Sequence, residues 1–425
     1  MVKKTFVVLV AALALMNISF LKAQDNTIRI GYVTPQTGPL AAFGAADAFI
    51  ISGVLDAIGA GIEVNGTVYP VEILVRDTQS DPNRAAQVAA DLILIDGVDL
   101  ILVASTPETT NPVSDQCEAF QQPCISTMSP WQPWYFRSAA ATQPDFPGYE
   151  YTYHFFWGLE DIIEVFISMW DSQDTNRVVG GLWPNDGDGL AWGDPQLGFP
   201  PALEAAGFTV VDPGRYENLK DDFSAEIAIF RENNVEIITG VMLPPDLGTF
   251  LTQASQQGFN PRMVTMGKAA LFPSVIETIS SGLGNNVTTE IWWSPYHPWQ
   301  STLLGITSGE LGERYTESTG NQVTQPIGYV HALFEVAVDV LRTASDPKDP
   351  DALLASIADT SIVTLVGLVE WGQEGVPPHV TKTPLVGGQW QVGATYPYEL
   401  QIVINPNEDN GIPVTGALEL MNWGR

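Results

Sequence analysis

The sequence predicts an α/β protein made of two doubly wound, parallel-sheet lobes. Three observations carry that prediction. Short apolar runs of strand length alternate with segments of helical periodicity, a pattern that covers both faces of a parallel sheet with helices. The alternation runs twice, from Ile28 to Thr127 and again from Asp161 to Met266, across a connection crowded with aromatic and proline residues. The chain's 425 residues, 45% of them hydrophobic, exceed one average domain and suffice for two packed cores.

The chain opens Met1-Val-Lys-Lys4 and then runs apolar from Phe6 to Leu21. This charged start, the apolar run and Leu21-Lys22-Ala23 match a secretory signal peptide cut after Ala23. Asn17 and Ser19 interrupt the run, and it falls short of the roughly 20 residues of a spanning helix. No Cys follows to take a lipid anchor, and no later segment is expected to cross a membrane. The mature chain is expected in the periplasm or outside the cell.

In the first array, Ile28–Val33 reads as a strand and Ala42–Ile58 as a helix with small residues on its packing side. Val71–Asp77 is the next strand. Asp81 caps a helix running to Ile95, with Pro82 in its first turn. Leu100–Ala104 is a buried strand, Pro112–Phe120 a short helix, and Cys124–Thr127 a strand. Residues 130–157 hold Trp131, Trp134, Tyr135, Tyr149 and Trp157 among several prolines. Such aromatics need burial, so this is a structured connection rather than a linker.

In the second array, Asp161–Asp171 is a helix with Ile162, Val165, Phe166 and Met169 at helical spacing. Strand Arg177–Leu182 leads into the loop Trp183–Gly189. Helix Pro200–Ala206, strand Phe208–Asp212, helix Phe223–Asn233, strand Ile237–Met242, helix Leu247–Gln257 and strand Met263–Met266 follow. Trp292–Trp299 marks a second crossing between the arrays. Gly328–Arg342 and Asp351–Ala358 read as helices, and the tail from Ile362 as short strands and turns.

Charge and motifs exclude several function classes. Asp and Glu number 49 against 18 Lys and Arg, a formal net charge of −31, which repels nucleic acid and anionic lipid. There is no nucleophile elbow, phosphate loop, His-x-x-x-His pair or dinucleotide fingerprint, so the chain reads as a non-enzyme with no cofactor. Asp186-Gly-Asp188-Gly resembles the start of a calcium loop but lacks the further oxygen ligands and the closing Glu, so no metal site is expected. Cys117 and Cys124, the two cysteines, form either a helix-to-strand disulfide, the reading preferred in an oxidising compartment, or a pair of buried thiols.

Ligands of open α/β sheets bind at the strand C-termini. The loops there are 34–43, 105–110, 127–134, 183–189, 242–245 and 267–270. They bring hydroxyls, aromatics and one cation, Lys268. Free backbone N–H groups at helix starts suit an anion such as a carboxylate. Aromatics around a polar centre suit a small amphipathic molecule.

Gly38-Pro-Leu-Ala-Ala-Phe-Gly44, Asp77-Thr-Gln-Ser-Asp-Pro82 and the Ser105–Pro112 loop, in this order behind a signal peptide, resemble the extracytoplasmic solute-binding proteins of ABC importers, of the leucine/branched-chain amino acid type. The strand and helix order matches from about 28 to 372. The resemblance implies the periplasmic binding protein-like I fold: two lobes joined by a three-crossing hinge, closing on ligand. It divides the chain into lobe 1, residues 26–153 with 296–368, and lobe 2, residues 154–295 with 369–425.

It also implies site roles. Phe43 packs on the ligand. Ser105, Thr106, Glu108 and Thr109, with Met128, Ser129 and Trp131, hold the ligand carboxylate. Trp183, Asp186 and Met242 contribute from lobe 2. Where amino-acid binders of this type place an acid for the ligand ammonium, this chain has Lys268. Either Lys268 pairs with an internal acid such as Glu108 or Asp186, or the ligand is anionic. The expected cargo is therefore a small organic solute, a carboxylate, amino acid-like or aromatic compound, other than a plain aliphatic amino acid. The expected partner is an ABC permease at the membrane and the expected state a monomer. A sensory ligand-binding module of the same fold is the alternative.

Overall fold

Two sheets organise the computed structural model, which describes residues 26–423 except 144, 280 and 281. The signal peptide and its cleavage point lie outside the described residues. The first sheet has six parallel strands in the spatial order Val380–Thr381, Thr152–Phe155, Cys124–Thr127, Leu100–Ala104, Ile28–Thr34, Val71–Asp77. The second has seven, in the order Tyr398–Ile404, Val386–Val392, Thr288–Ile291, Met263–Lys268, Ile237–Met242, Val178–Leu182, Thr209–Val211. Its first five strands in the sequence are parallel, and the last two join antiparallel at the edge.

Both lobes wind alike. In each, the chain steps outward from its first strand to the second, then returns to the other side for the third. The reversal leaves a crevice between Ile28–Thr34 and Leu100–Ala104 in one sheet, and between Val178–Leu182 and Ile237–Met242 in the other. Such topological switch points are where open sheets receive ligands.

The helix Pro326–Thr343 anchors the first lobe. Val330, Leu333, Phe334, Ala337 and Leu341 are fully buried, and the helix packs on Leu100–Ala104, Cys124–Thr127 and the helix Asp47–Ile58. Each large apolar side chain buried there contributes about 2 kcal/mol. In the second lobe, helix Leu159–Asp171 lies on the strands Thr288–Ile291, Val386–Val392 and Tyr398–Ile404. Trp170, whose indole N–H donates to Thr265 Oγ1 at 2.8 Å, fixes it there.

The chain passes between the sheets three times: between Phe155 and Leu159, between Ile291 and the helix Ser308–Thr319, and between Thr381 and Val386. Residues 369–425 were expected with the second lobe. Val380–Thr381 instead pairs with Thr152–Phe155 of the first sheet, so the last crossing falls after Thr381.

Several local expectations change. The expected helix Ala42–Ile58 is a 3-10 turn, Ala41–Gly44, followed by the helix Asp47–Ile58. The stretch Ala41–Ile58 is long and apolar enough to cross a membrane by length and composition, contrary to the expectation for later segments. It carries the buried Asp47, bonded by Tyr32 and Thr34, and packs one face, with Ile50, Val54 and Ile58 buried, on Pro326–Thr343. The helix expected from Pro112 begins at Pro107, where a missing N–H costs nothing. Asn65-Gly66, both with positive φ, turn a hairpin between Ile62–Val64 and Thr67–Tyr69.

The cysteines are a further correction. Cys117 and Cys124 are both free and fully buried, packed in the apolar cluster behind the first sheet. Burial first, then the hydrogen bond with Cys124, pushes the Cys117 thiol well above its ordinary range, so it stays protonated and unreactive.

Candidate ligand cleft

The turn after the first strand is tied down by the residues of the Asp77–Pro82 motif. The Asp77 carboxylate accepts from the backbone N–H groups of Gln36 and Thr37 and from the Thr37 hydroxyl. Ser80 Oγ donates to Thr37 O and accepts from Leu40 N–H. Gly38 has φ +87°, and a Cβ there would meet Gln79 O at 2.7 Å, so the turn closes only on glycine. It delivers Phe43, 2% exposed, to the space between the lobes.

Across that space stands Lys268, the last residue of the strand Met263–Lys268 and 4% exposed. Its ammonium lies 2.9 Å from Asp188 Oδ2, 3.4 Å from Asp186 Oδ2 and 3.5 Å from Glu108 Oε1. Glu108 belongs to the first turn of the lobe 1 helix Pro107–Phe120. Asp186 caps the lobe 2 helix Gly187–Trp192, and Asp188 is in its first turn. Lys268 thus bridges the lobes. Burial pulls its pKa down, but Asp188, Glu108 and Asp186 outweigh that and hold it well above the ordinary lysine value. Of the two alternatives for Lys268, pairing with internal acids is the one realised, and the argument for an anionic ligand loses its basis.

The carboxylates are individually supported. Asp186 accepts from Gly189 N–H and from Asn218 Nδ2, both at 2.8 Å. Thr106 Oγ1 donates to Glu108 Oε2 at 2.5 Å. Burial raises the pKa of Asp188 to about 7, opposed by Lys268 and reinforced by Glu108 and Asp186. Glu290, 2% exposed, is also raised by burial to about 7; it accepts from Thr289 Oγ1 and from the backbone N–H of Lys268 at 3.4 Å. Among the described residues no cationic side chain lies within ion-pair distance of Glu290.

Aromatic rings close the remaining walls. Phe43 meets Phe272 of the second lobe edge-on at 5.0 Å and stacks on Trp292 at 6.5 Å. Phe156 and Trp157 come from the first crossing and Trp292 from the second; Phe156 lies edge-on to Trp292 at 5.2 Å. Trp192 stacks on Phe199 at 4.9 Å. The space between these walls has a volume of ≈ 30 Å³, room for about two waters.

Two backbone positions at the cleft are strained. Met128, just past Cys124–Thr127, has φ +69°, and Lys268 has φ +62° and ψ −65°. Side-chain-bearing residues rarely adopt these values, and such strain concentrates at functional sites. Both residues line the cavity, one from each lobe.

Of the residues expected at the site, Phe43, Thr106, Met128 and Lys268 line the cavity, and Glu108 and Asp186 join it through Lys268. The others sit elsewhere. Ser105 and Thr109 are fully buried and bond each other, Thr109 Oγ1 to Ser105 Oγ at 2.6 Å. Ser129 is buried, its carbonyl bonded to His154. Trp131 belongs to an aromatic cluster beside the cleft and donates to Glu160 at 3.1 Å. Trp183 packs on Phe199 in the core, and Met242 points into the second-lobe core while its neighbour Val241 lines the cavity.

Asp188, Glu290, Phe156, Trp157, Trp192 and Trp292 also line the cavity and were not assigned to the site from the sequence. Asp188 stood in a noted motif, and three of the aromatics stood in the crossings. Glu290 lies on a strand, Thr288–Ile291, that the sequence reading did not find.

A family model described as periplasmic binding protein matches residues 27–391. None of the curated protein sequences matches the chain. Among solved structures, a leucine binding protein, LivK, from Thermotoga maritima is 19% identical; the match covers 89% of this chain and 99% of that one, with a TM-score of 0.71. LivJ from Streptococcus pneumoniae, solved with isoleucine, is 15% identical over 89% of this chain and 99% of that one, TM-score 0.68. A solute binding protein of an ABC transporter from Rhodopseudomonas palustris, solved with 3,4-dihydroxybenzoic acid, is 16% identical over 89% and 96%, TM-score 0.68. At these identities the structural likeness is one of fold. The family match over most of the chain, with two like-wound lobes and three crossings, makes this chain a member of the periplasmic binding protein family.

Proposed function

We propose that the chain is the extracytoplasmic substrate-binding subunit of an ABC-type importer, exported by a cleaved signal peptide and acting as a monomer. It captures a small organic solute between its lobes and presents the closed form to a membrane permease. One observation carries the reading: an aromatic-walled cavity between the switch points of two sheets, bridged by Lys268 to carboxylates of both lobes. A cavity shared by two hinged lobes couples ligand contact to lobe closure, which is what a permease can read. The family is one of periplasmic binding proteins, and on that ground the solute is expected to leave unchanged.

The test is thermal unfolding of the purified chain against a metabolite pool, with recovery of whatever stabilises it. A receptor is stabilised by its solute, by about 2.7 kcal/mol at a hundredfold excess over Kd, and returns it chemically intact. Conversion of the stabilising compound, or no stabilisation by any pool fraction, refutes the reading.

A further inference from the structure

Resting on the receptor reading, we propose that the cleft takes a small organic solute of net positive charge, a protonated or quaternary amine that carries a hydroxyl and no carboxylate, with Asp188 and Glu290 recognising its charge. Charge balance is the first ground. Three carboxylates, Glu108, Asp186 and Asp188, hold the one ammonium, that of Lys268, and a fourth, Glu290, accepts from the Lys268 backbone N–H. Lys268 is the one cation lining the cavity among the described residues, and it is spent on three of the four acids. Glu290 keeps no cationic partner. An anionic solute would add charge of the wrong sign to a buried, acid-rich site, whereas a cation completes it.

The indoles are the second ground. Trp157, Trp192 and Trp292 line the same cavity, are 1–3% exposed, and leave their Nε1–H donors without a partner. Buried donors are normally satisfied, and an occupant carrying an acceptor would meet those of the three that it reaches. The ring faces add the remaining element, because an ammonium desolvated against Trp and Phe faces is held by the ring quadrupoles. Asp188 and Glu290, both raised to about 7 by burial, would ionise fully beside a cation, so its binding should release protons.

The experiment is calorimetric titration of the full chain at pH 7.5 with choline, ethanolamine, leucine and 3,4-dihydroxybenzoate, repeated in two buffers of different ionisation enthalpy. Choline or ethanolamine is expected to saturate with proton release, and leucine and the benzoate are not. Glu290→Gln should weaken the cation at least tenfold and reduce the proton release, with the melting temperature kept or raised. The proposal is overturned if leucine or the benzoate saturates and neither cation does, if none of the four binds, or if Glu290→Gln and Asp188→Asn both leave cation affinity unchanged. A chain that fails here yet is stabilised by another compound from a metabolite pool keeps the importer role and loses only the charge class.

Discussion

Replacing Lys268 by methionine keeps the length of the side chain and removes its charge. In the folded chain this leaves Glu108, Asp186 and Asp188 facing one another without their cation. Breaking a buried ion pair costs about 3–5 kcal/mol. Two features lower the figure here. Asp186 keeps its bonds from Gly189 N–H and Asn218, and Asp188, already at about 7, can take up a proton. We expect a loss of about 3 kcal/mol at pH 8. The sign of the pH dependence follows from Asp188. Its folded pKa lies above the unfolded value, so stability is full below about pH 4 and is lost as pH rises through 7. Without Lys268 that folded value climbs further, so the cost should shrink to about 1 kcal/mol at pH 5. Urea unfolding followed by circular dichroism at both pH values reads this directly. An equal cost at pH 5 and pH 8, or a cost below about 1 kcal/mol at pH 8, would show that Lys268 is not the hub of a charge cluster.

Glu290→Gln should stabilise the chain at pH 8 by on the order of 1 kcal/mol, because it removes a carboxylate that burial disfavours when ionised; at pH 5 the gain should vanish. Thermal unfolding at the two pH values checks it. Gly328→Ala should destabilise by about 1–3 kcal/mol, since the new Cβ would sit 2.1 Å from the ring of the buried Trp293; chemical denaturation measures the loss, and a neutral result means the ring moves freely. Two thiols should react with Ellman's reagent in denaturant and none in the native chain, whereas a bridged pair gives none in either. Wild-type stability should fall between pH 7 and pH 8, where Asp47, Asp188, Glu290 and Glu335, each with a folded pKa raised to about 7 by burial, ionise; below pH 6.5 the buried His154, His297 and His331, whose pKa burial lowers, act in the opposite sense.

Much of the frame was legible because strands here are short, apolar and bounded by turn residues. Ile237–Met242 matches its expected bounds, and Leu100–Ala104 and Cys124–Thr127 likewise. The strand Thr288–Ile291 was missed because Thr-Thr-Glu-Ile has neither an apolar run nor clean alternation; its burial on all sides comes from the neighbouring strands. A place on the cavity wall was legible where a motif fixes the backbone, as at Phe43, and where a charge stands alone, as at Lys268. It was not legible where the choice depends on which way a strand end points. Val241 faces the cavity and Met242 the core, a distinction of one residue that only the register settles. The hydroxyl loop divides in a way no spacing rule reveals: Ser105 and Thr109 bond each other inside the lobe, while Thr106 lines the cavity.

The three cleft indoles give the chain an optical property of its own. Trp157, Trp192 and Trp292 are three of the 12 tryptophans, and they stand together at the one place where the environment must change when a solute enters. Their emission depends on nearby charge, on hydrogen bonding at Nε1 and on access of water. Parting of the lobes would wet all three at once, and a bound solute would dry and pair them. The unlabelled protein should therefore signal its own occupancy by intrinsic fluorescence. Because Cys117 and Cys124 are out of reach of thiol reagents in the folded state, a single surface cysteine on each lobe could carry a dye pair to report the lobe distance in the same sample.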